Sequence, residues 1–249
     1  MTATDRLHGE RVFHDDQAAG RATTLDADRL RFADADFLDH ESWVRPAFAA
    51  LGDLRGKRAL DYGCGHGMAA VTMARAGAEV AAFDLSPGYV DETRRRAAAN
   101  RVAVRGVVAD GEHLPFPAAS FDAVWGNAVL HHLDLDRAAA ELNRVLAPGG
   151  VAVFCEPWCG NPLLNYARRR LPYPGKHRTP DEQPLRPADL DPLRRQFPGL
   201  SVTGYQLLGM AGRVWKPLGR LGALDRPLTR AVPALENWCR YVVIVLRMG

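Results

Sequence analysis

Short apolar segments alternate with helical patterns through the middle of this chain, and this alternation constrains the fold more than any other feature. Five segments are typical of strands: Arg58–Tyr62, Glu79–Asp84, Val102–Ala109, Phe121–Trp125 and Val151–Cys155. Helical patterns lie between them, over Met68–Ala76, from Ser86 to Asn100 and over Leu135–Leu146. Strands that alternate with helices form parallel sheets with helices on both faces. The sequence therefore predicts an α/β fold, built on a doubly wound and mostly parallel sheet.

The segments before and after this core differ from it in composition and in their predicted elements. Residues 158–200 contain 8 of the 17 prolines, which disfavours long regular elements there. Two later segments, Leu200–Leu208 and Trp238–Arg247, are typical of strands. Residues 1–50 show helical patterns that carry aromatic side chains. We expect all 249 residues to form one domain.

The composition is that of an ordinary globular protein, with 47% hydrophobic and 24% charged residues, which excludes disordered and collagen-like classes. The longest apolar run near the end, Tyr241–Leu246, is far shorter than the roughly 20 residues that span a bilayer. The first residues do not resemble a signal peptide. Four cysteines are too few for a disulfide scaffold at this size. We therefore expect a cytoplasmic protein with reduced thiols.

Charge is distributed unevenly along the chain. Residues 158–249 hold 15 Lys/Arg against 6 Asp/Glu, whereas residues 1–50 hold 6 against 10. A basic excess of this size is typical of an anionic partner, and it is equally typical of a solvated basic face. Both interpretations stay open at the level of sequence.

A glycine-rich loop follows the first predicted strand and reads Asp61-Tyr-Gly63-Cys64-Gly65-His-Gly67. Alternate glycines let the backbone turn sharply and let a ligand approach main-chain atoms. The loop does not fit the Gly-x-Gly-x-x-Gly dinucleotide pattern, because Met68 occupies the sixth position, and no Gly-Lys-Ser/Thr follows. A carboxylate at Asp61 would repel a pyrophosphate. It suits a positively charged ligand such as an ammonium or a sulfonium.

Two further acidic residues follow the next two predicted strands. Asp84 ends the second strand, and Asp110 follows the third. Each one alone is typical of a turn or a helix cap. Together with Asp61 they lie at the carboxyl edge of a parallel sheet, where such sheets bind ligands. The arrangement indicates a carboxylate for a ribose at Asp84 and one for an adenine amino group near Asp110.

These motifs resemble the class I S-adenosylmethionine-dependent methyltransferases, in particular the small-molecule group that includes the ubiquinone and menaquinone methyltransferases. The resemblance covers about residues 50–157 and includes Phe121-Asp-Ala-Val-Trp, Leu130-His-His-Leu and Leu146-Ala-Pro-Gly-Gly. It implies a seven-stranded Rossmann-like sheet of order 3-2-1-4-5-7-6 with an antiparallel last strand. It also implies S-adenosyl-L-methionine as cofactor.

The resemblance also implies roles for individual residues. Gly63, Cys64 and Gly65 would pass along the methionine part of the cofactor, and Asn127 would contact its methionine end. Asp84 would hold the ribose and Leu85 would pack on the adenine. Asp110, Gly111 and Glu112 would recognise the adenine edge. The division of the chain that follows is a helical lid over 1–50, a cofactor-binding core over 51–157, a substrate-side insertion over 158–200 and the last two strands over 201–249.

Methyl transfer to oxygen also needs a group that removes a proton, and histidine is the usual one. His131 and His132 follow the fourth strand, and Glu156 follows the fifth, on the ligand edge of the sheet. We expect His131 to act as the base, with His132 as the second choice and Glu156 as the group that orients it. Either histidine can instead be a packed residue at a helix start. No metal is expected, because Cys155 and Cys159 are better explained as buried strand cysteines.

The acceptor side is predicted from the lid and the insertion. His14 and Trp43 are candidates to line it, together with Tyr166, Arg170 and Arg178 in the basic insertion. Arginines there can bind an anionic group on the acceptor. The basic stretch 213–230 can lie on an anionic membrane, although packing between the last two strands is favoured. No nucleic-acid partner is expected, because aromatic side chains are not interleaved with the basic ones.

The sequence thus predicts O-methylation of a small organic acceptor, a secondary metabolite or a quinone-like compound, with a histidine base. Two alternatives stay open. One is an N- or C-methyltransferase that acts by positioning alone. The other is a protein that binds the cofactor without catalysis.

Overall fold

The structure, a computed structural model, describes residues 3–170, 183–213 and 215–249. Seven strands form one sheet: β1 Arg58–Tyr62, β2 Glu79–Asp84, β3 Val104–Val108, β4 Phe121–Asn127, β5 Leu146–Pro157, β6 Ser201–Tyr205 and β7 Tyr241–Arg247. Their order is β3-β2-β1-β4-β5-β7-β6. β1 to β5 pair in parallel, and β7 pairs antiparallel with both β5 and β6. The predicted fold class, strand order and antiparallel last strand are confirmed.

Helices cover both faces of the sheet and precede it. The α-helices are α1 Ala3–Ala22, α2 Ala27–Leu30, α3 Asp34–Leu38, α4 Val44–Ala49, α5 Met68–Arg75, α6 Pro87–Ala99, α7 Leu135–Val145, α8 Pro162–Arg170, α9 Asp191–Gln196 and α10 Asp225–Ala231. Short 3-10 helices cover Leu130–His132, Pro187–Leu190, Gly209–Arg213, Lys216–Leu224 and Pro233–Trp238. Among the described residues, no helix is both long and apolar enough to cross a bilayer.

Local signals explain where several of these helices begin. The Ser86 hydroxyl accepts a hydrogen bond from the Tyr89 N–H at 3.3 Å, and Pro87 occupies the first turn of α6. The Asp134 carboxylate caps α7 in the same way. β5 is longer than the predicted strand Val151–Cys155, because it begins at Leu146, directly after α7, and includes the Pro-Gly-Gly that follows. A register shift between Phe121 and Ala123 accommodates this early start.

The core lies on both faces of the sheet, because successive strand residues point to opposite sides. On one face Leu60, Val124 and Phe154 pack against α7 residue Leu142. On the other face Ala59, Trp125 and Val153 pack against α5 and the N-terminal helices. Both layers are buried, so the central strands are apolar in their interiors and carry polar or charged residues toward their ends.

The N-terminal helix α1 is tied to this core by charged contacts. Arg21 donates to the Glu92 carboxylate on α6 at 2.7 Å. Arg96 also donates to Glu92, at 2.8 Å, and to the backbone carbonyls of His66 and Leu30. These contacts hold α1 across the carboxyl ends of the first strands, where it covers the edge that binds ligands in such folds.

Candidate functional site

A cavity of about 400 Å³ opens at the carboxyl ends of β1, β2 and β4. Its walls come from four places: the glycine loop, the residues that follow β2 and β3, the segment after β4, and the inner face of α1. The cavity is lined by these of the predicted cofactor residues: Asp61, Gly63, Cys64, Gly65, Asp84, Leu85, Asp110, Gly111 and Asn127. The structure therefore brings nine of the ten predicted cofactor residues together around one space.

The glycine loop has the backbone shape that only glycine adopts easily. Gly63, Gly65 and Gly67 all have positive φ, at 69°, 47° and 75°. A Cβ on Gly63 would lie 2.6 Å from Val129 Cγ2. A Cβ on Gly65 would meet no atom within 4 Å, so this part of the loop leaves open room beside bare backbone. The loop can thus approach a ligand closely.

Two buried carboxylates lie on the floor of the cavity. Asp61 is 2% exposed and accepts the Ala70 N–H at 2.9 Å. Burial, with a smaller contribution from the Asp84 charge, raises the pKa of Asp61 to about 8. Asp84 accepts the N–H groups of Gly65 and Ser86, both at 2.9 Å, and burial raises its pKa as well. Two buried acids side by side make a floor that favours a positively charged ligand.

The residues after β3 divide between the cavity and the wall behind it. Asp110 lines the cavity, and its carboxylate accepts the Glu112 N–H at 2.8 Å. Gly111 lines it too, and its carbonyl accepts from the Tyr62 hydroxyl at 2.6 Å. The Glu112 side chain is 1% exposed, is absent from the described lining, and pairs with Arg6 and the Asp134 N–H. Glu112 therefore acts as an anchor for α1 rather than as a cavity group.

Cys64 lines the cavity, yet its thiol is poorly suited to act as a nucleophile. Burial, together with the charges of Asp61 and Asp84, raises the pKa of Cys64 well above its ordinary value. The thiol therefore stays protonated and serves as a small apolar wall.

The predicted pair of His131 and Glu156 is present, but it lies behind the cavity wall. His131 Nδ1 is 2.7 Å from Glu156 Oε2, and the two side chains are 2% and 0% exposed. Glu156 Oε1 accepts the N–H groups of Val129 and Leu130, both at 2.9 Å. His131 is not among the described residues that line the cavity. The pair holds the segment after β4 in place, and the catalytic role of His131 stays a prediction.

His132 does line the cavity, and it faces two residues of α1. Glu10 Oε2 lies 3.2 Å from His132 Nδ1 and 3.4 Å from His14 Nε2. Burial tends to raise the pKa of Glu10, but the two histidines outweigh it and hold that pKa well below its ordinary value. Glu10 therefore carries a negative charge between two imidazoles, at the mouth of the cofactor space.

Among the described residues, Glu10, His14 and His132 form the group whose geometry can hold a metal ion. One ligand atom from each of Glu10, His14 and His132 lies within 4.8 Å of the others. Two imidazoles and a carboxylate suit transition metals and leave coordination positions open. Sequence reasoning missed Glu10. Its i,i+4 spacing to His14 on α1 was the available signal, because such residues share one helix face.

The predicted acceptor residues are not brought together. His14 lines the cavity, whereas Trp43 is buried elsewhere and stacks on Tyr241 with ring centroids 4.1 Å apart. Tyr166, 66% exposed, and Arg170, also exposed, lie on α8 and outside the described lining of the cavity. Arg178 lies outside the described residues. Other lining residues come from α1 and α3, among them Arg6, Gln17 and Phe37.

Comparison with known proteins finds a family match for the central part of the chain. Residues 60–154 match the family model described as Methyltransferase domain. The chain is 40% identical over 116 residues to a demethylmenaquinone methyltransferase from Thermobifida fusca (46% of this chain, 49% of that protein). It is 37% identical over 156 residues to a 27-O-demethylrifamycin SV methyltransferase from Amycolatopsis mediterranei (59% and 51%). The matches span about half the length of these curated relatives.

Solved structures show the same fold. One neighbour is geranyl diphosphate C-methyltransferase from Streptomyces coelicolor in complex with Mg²⁺, geranyl diphosphate and S-adenosyl-L-homocysteine. It is 21% identical to this chain with a TM-score of 0.58, and the match covers 86% of this chain and 76% of that one. The sheet from β1 to β5, which carries the glycine loop and the three aspartates, thus has the fold of these solved structures, and residues 60–154 within it match the methyltransferase-domain family model.

Proposed function

We propose, from the premise that residues 60–154 form a methyltransferase domain, that the chain transfers the methyl group of S-adenosylmethionine to a hydroxyl of a small organic acceptor. The observation that carries the proposal is the continuity of one cavity. Three carboxylates of the cofactor space and the paired His132 and Glu10 line the same walls.

The residues of the cavity fit the cofactor's chemistry. S-adenosylmethionine supplies a sulfonium, which is an electrophilic methyl group with its own leaving group. Asp61 has the raised pKa of a buried acid that lacks a counter-charge, and the cofactor's ammonium would provide one. The open room beside Gly65 accommodates a chain that passes along the loop. The other residues of the chain must then place the acceptor in line with the methyl group and exclude water.

His132 is the group best placed to remove the acceptor's proton. Its Nδ1 faces the Glu10 carboxylate, so Nε2 is the ring nitrogen that can accept a proton from a hydroxyl in the cavity. The negative charge of Glu10 stabilises the imidazolium that results. His131 acts one layer further back, because its bond to Glu156 fixes the segment that carries His132.

Helix α1 completes the site as a cover. Its inner face brings Arg6, Glu10, His14 and Gln17 to the cavity. Arg6 also ties α1 to the segment after β4, through the Glu112 carboxylate and the His132 carbonyl. A cover held by such contacts can exclude water during transfer and open for exchange. The lid role of residues 1–50 thus forms part of the proposal.

The names of the relatives favour a lipophilic acceptor, and one of them favours oxygen as the acceptor atom. One relative is named for a demethylmenaquinone, and the other is named for the 27-O position of a rifamycin. Apolar or aromatic surface for such a molecule is offered by five other lining residues: Leu7, Phe37, Trp125, Val129 and Leu133.

The test uses methyl-labelled S-adenosylmethionine and a panel of hydroxylated naphthoquinones and aromatic polyketides. NMR of the labelled methyl carbon in the product distinguishes a methyl ether from an N- or C-methyl group. We expect a methyl ether. Binding of S-adenosylhomocysteine without transfer to any member of the panel would favour a non-catalytic protein, and an N- or C-methyl product would show that the acceptor atom is assigned wrongly.

Two variants separate the histidines. We expect His132→Ala to lower kcat by about a hundredfold or more, with unchanged affinity for S-adenosylhomocysteine, because a positioned base contributes that much. His8→Ala is the control, since His8 is an exposed histidine on α1. Activity of His132→Ala within a few-fold of wild type would refute the assignment. A comparable loss in His131→Ala, with binding and stability intact, would move the base to the His131–Glu156 pair.

A further inference from the structure

The connection between β6 and β7 contains an unusual insert, defined here as residues 209–238. It consists of the 3-10 helices Gly209–Arg213, Lys216–Leu224 and Pro233–Trp238 together with α10. Of its described side chains, only those of Asp225 and Thr229 are buried. The insert therefore buries few of its apolar residues, although α10 and the 3-10 helix Pro233–Trp238 contact β6. The expectation that the stretch 213–230 packs between the last two strands stays a prediction.

The apolar residues of the insert lie instead on its surface. Six of them are more than a third exposed: Trp215 62%, Leu221 38%, Leu224 49%, Leu228 37%, Val232 49% and Trp238 40%. The start of α8 adjoins this surface, because the Asn161 side chain donates to the Trp238 carbonyl at 3.0 Å. Large apolar side chains exposed in this number on one insert are typical of an interaction site.

The charges that accompany this surface are positive. Lys216, Arg220 and Arg230 are exposed. Asp225 does not oppose them at the surface, because it is buried and accepts backbone N–H groups from residues 207–209. Glu236 is half-buried. Tryptophan and leucine beside exposed lysine and arginine form the combination that binds the interface of an anionic bilayer.

The topology places the insert at the edge of the sheet where the cavity opens. β7 is antiparallel to both β5 and β6, so β6 runs in the same direction as β1 to β5. The carboxyl end of β6, at Tyr205, therefore lies on the same edge as the ends of β1, β2 and β4. The insert leaves the sheet from this edge.

We propose that residues 209–238 bind the surface of a membrane that contains anionic phospholipid. Trp215 and the exposed leucines enter the interface, while Lys216, Arg220 and Arg230 contact the headgroups. Binding in this way turns the ligand edge of the sheet toward the lipid, so that an acceptor dissolved in the membrane is close to the cavity. The membrane contact itself does not depend on the proposed methyl transfer.

The experiment sediments the full chain with unilamellar vesicles of phosphatidylcholine alone or with added phosphatidylglycerol. We expect binding to the anionic vesicles, much weaker binding to phosphatidylcholine, and a loss of binding as salt rises. The intrinsic tryptophan emission should shift to shorter wavelength on binding, and Trp215→Phe should reduce that shift. Equal binding to both vesicle types, or none to either, would overturn the proposal.

Two matched double variants test the surface. Arg220→Gln with Arg230→Gln should weaken binding to anionic vesicles by about tenfold or more, since each basic residue near the surface contributes separately. Arg94→Gln with Arg95→Gln changes the net charge equally on α6, away from the insert, and should change binding little. Unchanged affinity for S-adenosylhomocysteine shows that both variants are folded. An equal loss of vesicle binding in both double variants would refute the site. A dimer in light scattering, with the insert covered by the second copy, would mean that this surface binds another copy of the chain and not a membrane.

Discussion

Binding of the cofactor should release a proton from Asp61. In the free chain this carboxyl is 2% exposed and has a pKa of about 8, with burial as the main cause and the Asp84 charge as a smaller one. A positive charge placed beside it favours the ionised form. Binding of a ligand that carries an ammonium should therefore lower the pKa of Asp61 toward its ordinary range.

The size of the effect follows from the position of this pKa relative to neutral pH. With a pKa of about 8, Asp61 is about nine-tenths protonated at pH 7, so binding should release close to one proton there. Affinity for the cofactor should rise about tenfold per pH unit from pH 6 to 7 and level off above about pH 8. The free chain should show the opposite trend. Because the pKa is higher in the folded state than in the unfolded one, Asp61 contributes a free energy of unfolding that falls as pH rises from about 4 to 8.

Calorimetry with S-adenosylhomocysteine measures this release directly. Titrations at pH 7 in two buffers of different ionisation enthalpy give the number of protons released per ligand bound. Asp61→Asn should abolish the release, weaken binding at pH 8 by about tenfold or more, and remove the pH dependence. Asp91→Asn, an exposed substitution on α6, is the control. Release of no proton by the wild-type chain, or full release by Asp61→Asn, would refute the reasoning.

Three further predictions concern other parts of the site and its support. Gly67→Ala should lower the free energy of unfolding in urea by about 2 kcal/mol or more, because φ is 75° and the new Cβ would lie 2.7 Å from the backbone Cα of Thr93; an unchanged midpoint would contradict this. Arg96→Met should lower the free energy of unfolding by about 3 kcal/mol, because it removes one partner of the buried Glu92 carboxylate. It should also increase the rate of amide hydrogen exchange in α1, and a stability equal to that of the wild type would contradict this prediction. Added Zn²⁺ should inhibit methyl transfer, because Glu10, His14 and His132 can hold the ion through atoms that the proposed base uses, and Glu10→Gln should reduce this inhibition; equal inhibition of both proteins would place the ion elsewhere.

The parallel sheet could be predicted because its signals are local. Strands that are buried on both faces read as short apolar runs, and helix caps such as Ser86 mark where the intervening helices begin. The cofactor residues follow from the same pattern, since a residue that follows a parallel strand must lie at the carboxyl edge. β1 and β2 have the predicted bounds, Arg58–Tyr62 and Glu79–Asp84.

The residues beyond the sheet could not be predicted in the same way, because their position depends on contacts across long stretches of sequence. Glu10 meets His132 across more than a hundred residues, through a helix that Arg6 and Arg21 hold in place. Periodicity locates such a helix but does not say what it covers. Glu112 shows the same dependence on distant residues: its place beside Asp110 is local, but its side chain pairs with Arg6 of α1.

The division between His131 and His132 shows how adjacent residues take different roles in one turn. In the 3-10 helix Leu130–His132, successive side chains point about a third of a turn apart, so one histidine faces inward while the next faces the cavity. The inward one meets Glu156, whose other oxygen already accepts two backbone N–H groups, and this fixes the turn rigidly. The outward one meets Glu10, which comes from the cover formed by α1. The proposed base is therefore complete only when α1 lies over the cavity, so closure of the cover and activation of the acceptor should occur together.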